Sequence, residues 1–298
     1  MNYSKLLQQS HFLEIKARSL AEGMKSGNFR SLYRGQGIEM SAVRDYIRGD
    51  DIRSIDWNVT ARMGKPYVKV FEEHRELQIF IIMDNSLSMQ ISEANKKSKY
   101  ETASEAAALL TFAAELNECP IGTVLFGSKI NLALMPVWGR EQTMIILSNL
   151  QKYNAKEKES VIIEPGSVLS SAINGAGKIL KKRSLVFIFS DFRSTDWEDN
   201  LGMLAHKNDV IAIRMTDGYD AQLPAVGTYT FTDAESGIRR ILPSSSPRFA
   251  KIWKGENDRR EKNFSDFCLK HGITAVNMDA ANDPLKVLSD IFNRTQSK

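Results

Sequence analysis

Only two cysteines, Cys119 and Cys268, occur in 298 residues. They stand far apart and without metal-ligand spacing, which excludes a disulfide framework and fits reduced packing thiols in a cytosol. No apolar run approaches the roughly 20 residues needed to cross a bilayer. The longest, LQIFIIM and AAALLTFAAEL, end at or contain charges. The opening residues MNYSKLLQQSHFLEIKARSLAEG have neither an apolar signal core nor a small-residue cleavage site, so no secretion signal is read. His11, His74, His206 and His271 share no metal spacing and are read as surface or helix residues. A Gly-x-x-x-x-Gly-Lys-Ser/Thr cradle is missing, which excludes a P-loop ATPase, and no Gly-x-Ser-x-Gly elbow with ordered triad partners occurs. Neither Arg239-Arg240 nor the run Lys181 to Arg183 carries the interleaved aromatics of a nucleic-acid binder. Forty basic against 36 acidic residues, in mixed runs such as KGENDRREK, point the same way.

What the chain does have is the composition of a soluble globular protein, with 42% hydrophobic and 26% charged residues. From Leu77 onward, short apolar runs alternate with helical patterns. Strands are expected at 77–83, 121–126, 130–135, 185–190, 210–215 and 273–278, and helices near 97–118, 140–152, 167–182, 196–207, 247–271 and 284–293. Strands apolar throughout and separated by helices imply an α/β fold with a doubly wound, mainly parallel sheet covered on both faces. The pair 121–126 and 130–135, joined by GSK, reads as a hairpin and so as an antiparallel edge. The alanine-rich helix near 97–118 suits a position close against the sheet. An inserted β-ribbon is expected over about 221–246, turning at DAESG. Upstream, 1–76 reads as an N-terminal helix (about 4–24) and a charged segment packed on the main domain 77–298, with a strand from Tyr67 to Phe71.

In a doubly wound sheet, ligands gather at the carboxyl ends of the strands. Asp84 ends the first strand of this sheet, and in DNSLS it alternates with Ser86 and Ser88, which an extended loop points the same way. Hard oxygens converging there suit Mg²⁺. A metal held mainly by neutral hydroxyls keeps net positive charge and attracts an acidic ligand from outside. Asp191, directly after LVFIFS, and Ser167, in EPGSVLSS, are placed to complete the set. Helix capping explains Ser167 equally well.

DNSLS, GSVLSSAI and VFIFSDF resemble the three loops of the von Willebrand factor A-type fold and its metal-ion-dependent adhesion site. RDYIRGDDIRSIDWNVTAR followed by VKVFEEHRE is similar to the signature of the bacterial family catalogued as domain of unknown function fifty-eight, and the likeness covers nearly the whole chain from about Arg30. The resemblance implies a von Willebrand factor A-like, Rossmann-type domain acting as a binding module rather than an enzyme. Its cofactor would be Mg²⁺ (or Mn²⁺ or Ca²⁺), with Asp84, Ser86 and Ser88 as first-loop ligands, Ser167 as second-loop hydroxyl and Asp191 as third-loop carboxylate. Implied partners are a MoxR-type AAA+ ATPase and an acidic group of a client protein. Ser167 departs from the family's more usual threonine. Many members carry membrane helices before the signature, whereas this chain starts on a polar segment; the expectation is a cytoplasmic protein with at most peripheral association with membrane proteins.

Two alternatives remain open on sequence. One is a metal-dependent phosphohydrolase or phosphotransferase using Asp84, although a second carboxylate two residues on is replaced by Ser86. The other is a metal-free scaffold binding through 44–62. There, Asp50, Asp51 and Asp56 lie among Arg44, Arg48, Arg53 and Arg62, and arginine forks pair well with carboxylates. The segment reads as a salt-bridge network with a Gly49-Asp50 turn or, with Trp57, as a partner-docking surface.

Overall fold

The computed structural model describes residues 16–24, 39–72, 77–92, 96–154, 168–221, 223, 229–232 and 239–294. They fall into two compact units, one drawn from Met1–Tyr33 with Leu77–Lys298, the other from Arg34–Glu76. The expected first helix is described as α1 over 16–24. Its Ala17, Leu20, Ala21 and Met24 join the core of the larger unit rather than grouping with the charged segment; the rest of that helix lies outside the described residues.

In the smaller unit, β1 (Glu39–Asp45) and β2 (Tyr67–Glu72) pair antiparallel, with Asp45 opposite Tyr67. Between them a single 3₁₀ turn, Ile52–Ser54, is capped by Asp51, and α2 (Trp57–Met63) is capped by Asp56, whose carboxylate accepts from the Asn58 and Val59 amides at 3.0 and 3.2 Å. Gly64 ends α2 at φ +69°, the left-handed position that favours glycine after a helix. The strand at Tyr67 was anticipated; β1 and α2 were not.

In the larger unit, chain order runs β3 (Ile79–Asp84), α3 (Leu87–Gln90), α4 (Lys99–Leu116), β4 (Ile121–Phe126), β5 (Ile130–Val137), α5 (Arg140–Asn154), α6 (Val168–Ile179), β6 (Leu185–Ser190), α7 (Glu198–Lys207), β7 (Asp209–Thr216), α8 (Gly218–Ala221), β8 (Tyr229–Thr232), β9 (Arg239–Leu242), α9 (Pro247–Lys270), β10 (Thr274–Asp279) and α10 (Pro284–Arg294). Six strands form one mixed sheet in the order β10-β7-β6-β3-β4-β5, parallel except for β5, which folds back on β4. β3, β4 and β6 are buried at every position, the signature of strands covered on both faces. One face packs against α1, α4, α5 and α10, the other against α6, α7 and α9. The ribbon β8-β9 forms a separate antiparallel pair, with its expected turn outside the described residues.

Two local devices fix the centre of the sheet. A Cβ at Gly122 would sit 2.7 Å from the Leu134 carbonyl oxygen and 2.8 Å from the Phe80 ring, so only glycine lets β5 and that ring close over β4. Helix α4 starts with a capping box, Ser98 and Glu101 each bonding the other's backbone amide, and buries thirteen of its residues; an alanine row lets it approach the strands closely.

Candidate metal centre

The chain leaves β3 towards β4 on one side and later returns at β6 on the other, so strand order reverses between β3 and β6. At such a reversal the outgoing loops diverge and leave a crevice above the strand ends. Asp84 closes β3 and Ser190 closes β6, side by side at that point.

Asp84 is buried, and both its oxygens are engaged: Ser190 donates its hydroxyl to Oδ2 at 2.6 Å, and the Ser86 amide donates to Oδ1 at 2.9 Å. The Ser86 and Ser88 hydroxyls stand 3.0 Å apart on half-buried residues, Ser86 bonding Asp84 and Ser88 bonding Asp191. Buried Asn85 holds the loop down, its amide donating to the Phe126 carbonyl at 2.7 Å and its side-chain oxygen accepting from Asn131 at 3.1 Å.

Asp191 follows β6 and is equally buried. The next residue, Phe192, takes a left-handed φ of +51°, costly for a residue with a Cβ and held here by its ring against Trp197 and Phe264. That turn lets the Arg193 amide donate to Asp191 Oδ1 at 3.2 Å. Oδ2 faces the ammonium of Lys99 at 3.3 Å. Lys99 lies at the start of α4 and is only 2% exposed. The same ammonium is 3.9 Å from both Asp217 and Asp220, which are tied together after β7, and the Arg193 guanidinium also pairs with Asp220.

The electrostatics separate the two carboxyls. Burial pushes Asp84 up to about 7, with the Asp191 charge adding to the rise and bonds from Ser190 and Ser86 opposing it. Burial also pushes Asp191 up, but Lys99, Arg193 and a bond from Ser88 outweigh it and hold its carboxyl below the usual range. Burial therefore disfavours the charged form of Asp84, a cost that a cation beside it would offset.

The donor set fits a hard divalent cation: two carboxylates and two hydroxyls, all oxygen. Among the described residues no group of three or more His, Cys, Asp and Glu side chains is disposed to hold a metal ion, so such a cation would depend on the serine hydroxyls. Of the five residues expected to converge, Asp84, Ser86, Ser88 and Asp191 come together; Ser167 lies outside the described residues. Ser190, Asn85 and Lys99 are additions that the sequence did not single out.

The charged segment builds a different arrangement. Arg44 grips Asp50 with two bonds of 2.7 and 2.8 Å, and Asp50 also accepts from the Ile47 amide inside the Gly49 turn. Asp51 and Asp56 serve as helix caps, while Arg48 and Arg62 make no ion pair with another described residue. Arg53 meets Asp51 through its backbone amide. Trp57, with Ile47, Ile52 and Met63, is more than 60% exposed.

Residues 42–262 match the family described as Protein of unknown function DUF58. The chain is similar to uncharacterized proteins of Mycobacterium tuberculosis and Mycobacterium bovis, each 29% identical over 254 residues, 83% of this chain and 77% of theirs. Among solved structures it is similar to the conserved hypothetical protein BatB from Bacteroides thetaiotaomicron, with 15% identity and a TM-score of 0.47 over 74% of this chain and 100% of that one. It is also similar to the PilB minor pilin from Streptococcus sanguinis, with 14% identity and a TM-score of 0.39 over 78% and 66% of the two chains. Among the described residues no helix is long and apolar enough to cross a membrane.

Proposed function

We propose that this chain, which belongs to the DUF58 family, is a metal-dependent protein–protein interaction module of the von Willebrand factor A type. In this reading it is an adaptor or co-chaperone that works in the cytoplasm with a MoxR-type AAA+ ATPase in maturing or regulating other proteins. The observation that carries the reading is the pair of buried carboxylates, Asp84 and Asp191, with the hydroxyls of Ser86 and Ser88 bonded to them at the strand-order reversal. A Mg²⁺, Mn²⁺ or Ca²⁺ bound there supplies a positive charge one ligand short, which an acidic group of a client fills. Asp84 and Asp191 supply the counter-charge, Ser86 and Ser88 hydroxyl oxygens, and Asn85 the loop's position; Ser167 is the remaining hydroxyl in this assignment. A phosphotransferase using Asp84 is less well supported, because Ser86 stands where a second carboxylate would serve.

A second reading rests on the smaller unit. Four large apolar side chains of this unit, Ile47, Ile52, Trp57 and Met63, lie exposed, apolar contact area that needs no metal.

The test is capture of a purified MoxR-type ATPase by tagged wild type and Asp84→Ala, each in Mg²⁺ and in EDTA, with circular dichroism to check folding. Capture by wild type in Mg²⁺ alone is expected. Full capture by folded Asp84→Ala in EDTA would sink the metal reading; loss of that capture on Trp57→Ala or on reversing Arg48 and Arg53 to glutamate would then move the contact to the smaller unit.

A further inference from the structure

A lysine ammonium buried to 2% exposure 92 residues from its carboxylate partner is a built feature, since taking an unpaired ammonium out of water is costly. Lys99 is one helical position inside α4, so the capping box at Ser98 and Glu101 fixes its backbone, and the packing of α4 against the sheet aims it at the strand ends. It meets Asp191 first, at 3.3 Å, and Asp217 and Asp220 second, both at 3.9 Å.

Three carboxylates, Asp191, Asp217 and Asp220, surround the Lys99 ammonium, and Arg193 stands against Asp191 and Asp220. Arg214, a further buried cation nearby, also acts on Asp191, and it meets Glu261 at 3.9 Å and bonds Asn257 at 2.9 Å. Without Lys99 the cluster would carry one further negative charge. Nor is Asp191 free to give its full charge to an incoming cation: Oδ2 faces Lys99 and Oδ1 accepts from the Arg193 amide.

We infer that Lys99 is a tethered cation that holds the site's affinity for a divalent metal low, so that the metal is retained together with an acidic ligand from a partner rather than by the protein alone. This deepens the metal reading and rests on it. Lys99 is a positioning and charge-setting residue in this scheme; it coordinates nothing. With Asp191 shared between an ammonium and the metal, the strongest protein ligand left is Asp84, and an outside carboxylate supplies the missing charge.

The probe is Mn²⁺ alone, titrated into the intact chain by calorimetry and by the loss of the free-ion electron paramagnetic resonance signal. Lys99→Gln is expected to tighten Mn²⁺ by about tenfold or more, as removal of one positive charge near a doubly charged ion requires, while Lys99→Arg, which keeps the charge, stays within a few-fold of wild type. Because Lys99→Gln leaves three carboxylates facing one another, the same substitution is also made in an Asp217→Asn background, where the lost carboxylate offsets the lost ammonium; the tightening relative to Asp217→Asn alone should persist. If wild type binds and folded Lys99→Gln binds equally or more weakly in both backgrounds, the inference fails and the metal reading stands. If wild type shows no binding and Lys99→Gln binds, the inference stands and resident metal binding by the wild-type protein falls. If neither binds, both fall.

Discussion

Gly127 shows how closely the loop over the candidate site is packed. A Cβ at this position would lie 2.5 Å from the side-chain oxygen of Asn85, the residue that ties the DNSLS loop to β4 and to Asn131. Gly127→Ala must therefore push Asn85 out and leave its buried amide without a partner. The expected cost is about 1–3 kcal/mol in urea unfolding, with weaker Mn²⁺ binding, while a variant as stable as wild type would show that the loop yields freely. At this scale Asp84, Ser86, Ser88 and Asp191 were legible because strand ends and residue alternation are local properties. Lys99, Ser190 and Asn85 were not. A lysine at a helix start reads as solvated, a serine closing an apolar run reads as the strand's end, and only the sheet, by laying β6 beside β3, turns each into a neighbour of a carboxylate.

At the scale of elements, the six strands of the main sheet could be read within two residues of their observed ends; for β3, β4 and β6 this follows because an apolar run has few alternatives when both faces are covered. Elements β1 and α2 were missed for the opposite reason. They are short and lack a long apolar run; β1 carries three charges in seven residues, and α2 buries none of its residues and depends on its Asp56 cap and Gly64 stop. Helix α4 combines both kinds of control, a legible apolar body and a capping box at its start. Ser98→Ala removes one half of that box and should cost about 1 kcal/mol in thermal or urea unfolding. Since Lys99 is the next residue, the same substitution should also alter Mn²⁺ affinity; unchanged affinity together with the stability loss would show that packing of α4, not its cap, fixes the ammonium.

For the whole molecule, the opposite displacements of Asp84 and Asp191 set how stability responds to pH. Asp84, raised to about 7 chiefly by burial, binds its proton more tightly folded than unfolded. Its contribution to stability is full below the unfolded value of about 4 and is lost as pH rises through about 7. Asp191 acts the other way: burial opposes but Lys99 and Arg193 prevail, so its contribution is present above the unfolded value and is lost as pH falls through its lowered folded one. Of this pair, only Asp84 titrates between pH 5 and 8. The metal-free protein should accordingly lose melting temperature over that window, Asp84→Asn should flatten the loss, and the rise given by Mg²⁺ should be larger at pH 8 than at pH 5, since the cation competes with that proton. A metal-free melting temperature that climbs from pH 5 to 8, with Asp84→Asn climbing equally, would refute the assignment.

The partners at the strand ends are remote in sequence: Ser190 reaches Asp84 across 106 residues, and Lys99 reaches Asp191 across 92. On a ribosome adding 5–20 residues per second, Asp220 follows Asp84 by on the order of ten seconds. Until Asp191 is made, Asp84 stands without its buried carboxyl neighbour, and the crevice does not exist. Any ligand of the crevice can therefore meet it only after β6 has been laid beside β3, so occupancy would report that this pairing has formed.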